Sequence, residues 1–244
     1  MRLYKYRDLS SKTDMGLQYL DDILRTSNFW CSKPENLNDE EEFIWAPNYA
    51  PSVDTPTILA LHWIGQGRNC NDAFLAAMKV VQYPHLLEEI TKSTFQEMMN
   101  KCRNEVGISC FATDDSDHEL MWNRYGGDHA GVCIELEVPN TLIGDQLYWV
   151  NYLIKKEIHI DILLRALDHA KEIYDLTFLT KNKISRNGED WSMEKEIRFV
   201  AKRQNIPVKI DGSRITGIHI GYKLMEPVQK YILGLLQKYS FPNS

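Results

Sequence analysis

A chain of 244 residues in which 43% are hydrophobic and 11% aromatic has enough large apolar side chains for a packed core, and this excludes a disordered polymer. Its net charge of −6 argues against unselective binding to nucleic acid, and its length suits one large domain or two small ones. The average hides an asymmetry: residues 1–180 carry 16 Lys and Arg against 28 Asp and Glu, whereas residues 181–244 carry 12 against 6. A local anion site is therefore compatible with the acidic total, as is a solvated basic face.

Leu3 to Arg7 reads as an edge or entry strand, and Asp14 is placed to cap a helix over 15–26 with Leu17, Leu20 and Leu24 on its core stripe. Residues 29–32 read as a second short strand running into a loop of turn formers over 33–40. From about 57 to 105 the periodicity is helical, with Pro84 opening a helix that ends near Gly107, and this stretch reads as a helical insertion. Strands follow at 108–112 and 132–137, with a short helix at about 117–125 between them. A strand at 147–154, a long amphipathic helix at 159–180, a strand through Glu194 to Val200, another at 215–220 and a helix opened by Pro227 complete the chain. Strands with irregularly placed helices predict a single α+β domain with a mixed or antiparallel central sheet, flanking helices and the 57–105 insertion.

The five cysteines are odd in number and scattered, with no C-x-x-C pair, so neither a disulfide framework nor a zinc knuckle is signalled and a reducing, cytoplasmic setting is expected. No apolar run approaches the roughly 18 residues of a membrane span, and the charged start Met-Arg-Leu-Tyr-Lys does not read as a signal peptide, so no membrane partner is expected. A Rossmann or P-loop glycine motif and a nucleophile elbow are both missing, which removes the common nucleotide folds and a hydrolase triad.

The most informative stretch is Trp191 to Val200. Alternation puts Glu194, Glu196 and Arg198 on one side of a strand and Ile197 and Phe199 on the other, so the charged side faces water, a partner or a cleft. A solvated face with an Arg–Glu pair is the plain alternative. Acidic runs at 38–42 and 114–119 offer ligands for Mg²⁺, or simply solvated turns. Trp122 and Tyr125, three apart on a helical turn beside Gly126, Gly127 and Gly131, could stack a planar ring, or Trp122 could anchor the helix in the core.

Taken together, Leu3 to Arg7, Ser32 to Asp39, Ser109 to Ala112 with Met121 to Tyr125, Gly131 to Glu135 and Trp191 to Arg198 resemble the bacterial and phage domain-of-unknown-function family numbered twenty-nine seventy-one, met in mobile and defence-associated gene settings. The chain departs from that pattern at Glu40, where Pro is usual, and at Arg124, where His is common. The pair Glu194 and Glu196 is also similar to the E-x-E strand of ADP-ribosyltransferases, with Arg7 where those enzymes often keep an Arg and Ser109 or Thr113 as a loose match to their middle strand.

The second resemblance implies an ADP-ribosyltransferase-like fold and an NAD-dependent ADP-ribosyltransferase or NAD glycohydrolase, acting as a toxin or phage-defence effector with NAD as its substrate. Glu196 would stabilise the oxocarbenium-like state, Glu194 would orient or deprotonate an acceptor, and Arg7 would hold the pyrophosphate. Tyr6, Ser32, Asn38, Asp39, Ser109, Trp122, Tyr125 and Arg198 would line the substrate site. The implied partners are NAD or another nucleotide, a protein or nucleic-acid acceptor and a neutralising protein. One rival is a metal-dependent nuclease using Asp39, Glu40 and Glu119, and the other is a non-enzymatic binding or sensing module whose polar row pins the fold. The transferase reading requires Arg7 and Glu196 to line the same cleft.

Overall fold

A computed structural model describes residues 1–10, 14–37, 45–153, 157–167, 180–182, 190–239 and 241. In chain order the elements are β1 (Arg2–Asp8), α1 (Asp14–Thr26), β2 (Asn28–Cys31), β3 (Ala46–Asn48), α2 (Thr55–Gly65), α3 (Cys70–Val80) and α4 (Pro84–Glu105). They continue through β4 (Gly107–Thr113), α5 (His118–Tyr125), β5 (Gly131–Glu137), β6 (Leu147–Trp149), β7 (Asn151–Leu153), β8 (Glu157–His159), α6 (Ile160–Ala166) and β9 (Thr180–Asn182). Last come β10 (Ile197–Ala201), β11 (Ile206–Lys209), β12 (Arg214–Ile220) and α7 (Glu226–Lys238). The fold is α+β, as the mixture of periodicities predicts.

The chain divides into two compact units where the sequence predicts one domain with an insertion. The second unit contains the helices of the 57–105 stretch but is larger, taking in residues 34–105 and 153–182. Leu59, Ala73, Leu87 and Met98 of its helices share a core with Ile160, Leu163 and Leu164 of α6. Met98 and Met99 are thus core filler. The helix predicted over 159–180 is α6 up to Ala166, and residues 168–179 of that prediction lie outside the described residues.

The first unit, residues 1–33, 106–152 and 183–244, holds a six-stranded sheet in the order β12-β5-β1-β4-β10-β6. Every neighbouring pair in it is antiparallel. Of the edge or entry strand that the sequence offers for β1, the edge position is not taken: β1 is interior, between β5 and β4. Alternation sorts each strand onto two faces. Leu3 of β1, Phe111 of β4, Val132, Ile134 and Leu136 of β5, and Ile197 and Phe199 of β10 pack in one core with Leu20, Ile23 and Leu24 of α1 and Ile232, Leu235 and Leu236 of α7. Tyr4 and Tyr6 of β1, Ala112 of β4 and Cys133 of β5 point to the other face, where they pack against Met121, Trp122 and Tyr125 of α5. The sheet thus has an α1 face and an α5 face, and every charged group on it belongs to one or the other.

Candidate functional site

The predicted row is not one straight strand. Trp191–Glu194 forms a 3₁₀ turn, Lys195 sits in the left-handed region at φ 44°, and only from Ile197 does the chain enter β10. Asp190 starts the turn by accepting from the Ser192 N–H at 2.8 Å. The end of β4 fixes the turn: Ser116 Oγ donates to the Glu194 carbonyl at 2.6 Å, Thr113 Oγ1 donates to the Lys195 carbonyl at 3.2 Å, and the Asp117 N–H donates to the Met193 carbonyl at 3.0 Å. Because these anchors lie just before the N-terminus of α5, Glu194 meets that helix rather than standing in line with Glu196.

The row is also buried. Glu194, Glu196 and Arg198 are 2%, 5% and 1% exposed, which overturns both the solvated face and an open cleft as the environment of these side chains. Register pairs Arg198 with Cys110 and Ile197 with Phe111, so Arg198 and Glu196 lie on the α5 face while Ile197 turns to the α1 core. Arg198 Nε donates to Glu196 Oε1 at 2.8 Å and its terminal nitrogen donates to Oε2 at 3.2 Å, a two-pronged pair between residues two apart on a strand. Glu194 Oε1 accepts from the Arg124 guanidinium at 3.1 Å and from the Tyr125 hydroxyl at 2.7 Å. Arg124 in turn lies 4.6 Å over the ring of Trp191. Tyr152 accepts from the Glu196 N–H at 3.0 Å.

Two carboxylates therefore face two guanidiniums in a desolvated setting, and the four charges sum to zero. Burial, followed by the charge of Glu194 and its hydrogen bond, pushes the Tyr125 phenol far above its ordinary range. Burial and Glu196 do the same to Tyr152. Both phenols stay protonated and serve as hydrogen-bonding groups.

Arg7 does not join this network. Alternation on β1 sends it with Leu3 to the α1 face, where its guanidinium stacks 4.2 Å over Tyr19 of α1. The cleft required between Arg7 and Glu196 is therefore not formed, because the two residues have opposite parity across the sheet. Ser109 is likewise on the α1 face, opposite Phe199, and Ser32 is held to Ile108 through two backbone hydrogen bonds of 2.8 and 2.9 Å. Asn38 and Asp39, like Glu40, lie outside the described residues.

Tyr6 and Trp122 do share the α5 face with the row, but both are engaged. The Tyr6 hydroxyl is 2.6 Å from His118 Nδ1, and its ring meets Trp122 edge-on at 5.2 Å. Trp122 stacks on His129 at 5.2 Å with planes 16° apart, and His129 contacts Tyr222 at 4.5 Å. Gly127, at φ 61°, lies against the Asp8 carboxylate and Gly131 against the Arg7 carbonyl, so these glycines serve chain packing. Among the described residues no group of three His, Cys, Asp or Glu could hold a metal ion, and Glu119, the nuclease residue within that set, contacts His129 Nε2 at 3.1 Å.

Sequence reasoning missed Arg124, Tyr152 and Lys5. Arg124 supplies a charge that offsets Glu194. Compared with protein-family models, with curated proteins and with solved structures, the chain gives no match. No helix among the described residues is long and apolar enough to cross a membrane.

Proposed function

We propose that this protein is a ligand-recognition module of a defence or mobile-element setting, in which the Glu194–Glu196–Arg198 row latches the fold and carries no reaction. The observation that supports this reading is the occupancy of Glu196: both of its oxygens are taken by Arg198. A carboxylate that stabilises an oxocarbenium-like state must turn its charge toward the substrate as positive charge develops there. One already bound by a guanidinium fork offers little net field, and freeing it would break both of its hydrogen bonds to the buried Arg198. The placement of Arg7 across the sheet removes the second residue that NAD cleavage would use.

The test is incubation of the full-length protein with NAD, with free nicotinamide measured beside the melting temperature of wild type and Glu196→Gln. The reading expects no nicotinamide above the uncatalysed background and a lower melting temperature for the variant. Release by wild type that disappears in a Glu196→Gln protein of unchanged stability would replace this reading with the transferase or glycohydrolase.

A further inference from the structure

β1 and β4 are neighbours over only two residue pairs, Leu3 with Thr113 and Tyr4 with Ala112. Beyond them β1 runs on to Asp8 against β5, while β4 runs back to Gly107 against β10, so the sheet forks. On the α1 face Lys5 of β1 reaches across this fork to Cys110 and Phe111 of β4, Arg7 lies on the same face over Tyr19, and Ser109 shares that face of β4.

The polar groups there are incompletely satisfied. Lys5 Nζ donates one hydrogen bond, to the Cys110 carbonyl at 2.8 Å, and lies 5.2 Å over the Phe111 ring; an ammonium has three donors. The guanidinium of Arg7 has the Tyr19 ring beneath it and no ion-pair partner among the described residues. Ser109 is 1% exposed and its hydroxyl has no hydrogen-bond partner among the described residues, a state that buried polar groups seldom keep. Removal from water pushes the Lys5 ammonium below the ordinary lysine range and Arg7 lowers it further, while Cys110 and Glu196 act in the opposite sense. Glu196 is the one carboxylate among these influences, and its oxygens belong to Arg198.

We propose that the fork between β1 and β4 binds the phosphate group of a small ligand through Lys5 Nζ, the Arg7 guanidinium and Ser109 Oγ. All three groups donate, none has a counter-charge among the described residues, and they come from two strands. That combination suits a tetrahedral oxyanion with several acceptor oxygens better than a flat, singly charged carboxylate. Arg7 is half-buried, so an anion enters past its guanidinium, while the Lys5 ammonium and the Ser109 hydroxyl lie deeper, withdrawn from water. The inference rests on the recognition reading for its claim that this anion is what the protein reads, although the site itself lies on the face away from the Glu196 network.

The experiment is thermal unfolding of the full-length protein in rising inorganic phosphate, with ionic strength held constant by chloride. Wild type should show a saturable rise of roughly 5–10 °C at a hundredfold excess over Kd. Ser109→Ala should melt like wild type without phosphate and need about tenfold more of it for the same rise. Lys5→Met should show no rise, and should Lys5→Met not fold, Arg7→Met takes its place. A flat wild-type response, or the same saturable rise in every variant, overturns the site. Nicotinamide release plays no part in this measurement, so the site and the recognition reading fail separately.

Discussion

The two faces of the six-stranded sheet treat charge in opposite ways. On the α5 face, Glu194, Glu196, Arg124 and Arg198 are two anions and two cations, joined by hydrogen bonds of 2.8–3.2 Å. On the α1 face, Lys5 and Arg7 are two cations with no carboxylate within ion-pair reach among the described residues, beside a hydroxyl without a partner. Both sets are held by strands of the same sheet. What separates them is whether the protein supplies its own counter-charge. A closed set stabilises the fold once formed and has little left for a ligand; an open set costs stability until a ligand completes it.

The sharpest way to break this contrast is to open the closed set. Arg198→Met leaves Glu196 buried without its fork and is expected to cost about 3–5 kcal/mol, a fall of roughly 6–20 °C in melting temperature. A loss under about 1 kcal/mol would mean that Glu196 has other support. Tyr125→Phe removes one donor from Glu194 while leaving Arg124 in place, so urea unfolding should show a smaller cost of about 1–3 kcal/mol.

The open set predicts effects of another sign. Because the folded pKa of Lys5 is depressed, the native state holds its proton less tightly than the unfolded chain does. The unfolded state therefore binds more protons, and the Lys5 contribution to stability rises with pH between the folded pKa and the ordinary value of 10.5. The unfolding free energy of wild type relative to Lys5→Met should increase through that window; a decrease would show that the ammonium is well paired. Smallest of all, Ser109→Ala should leave stability within about 0.5 kcal/mol of wild type, since the hydroxyl it removes has no partner to lose.

How much of this was legible in the sequence depends on the kind of contact. Period-two alternation located β1, β4, β5, β10 and β12, and with them the α+β class, because each strand has one side in a large core. The same rule set Glu196 and Arg198 together on one face. It did not foresee the 3₁₀ turn at Trp191–Glu194: that turn is fixed by Thr113, Ser116 and Asp117, about eighty residues earlier, and no local pattern reports such contacts. Arg7 went astray for a related reason. Parity within β1 is readable, but whether that parity matches the face of Glu196 depends on the register of β1 with β4 and of β4 with β10, which tertiary pairing decides. Lys5, a lysine between two tyrosines, carries no local signal of burial. Its strand proved to be interior, and that placed it in the fork.

The central claim is that Arg198 consumes the charge of Glu196. A double-mutant cycle of Glu196→Gln and Arg198→Met, followed by urea unfolding, tests it most directly. The predicted result is a double variant that loses clearly less than the two single losses added, with a coupling of about 2 kcal/mol or more. Single losses that add to within about 0.5 kcal/mol would contradict it and return Glu196 to the groups available for chemistry.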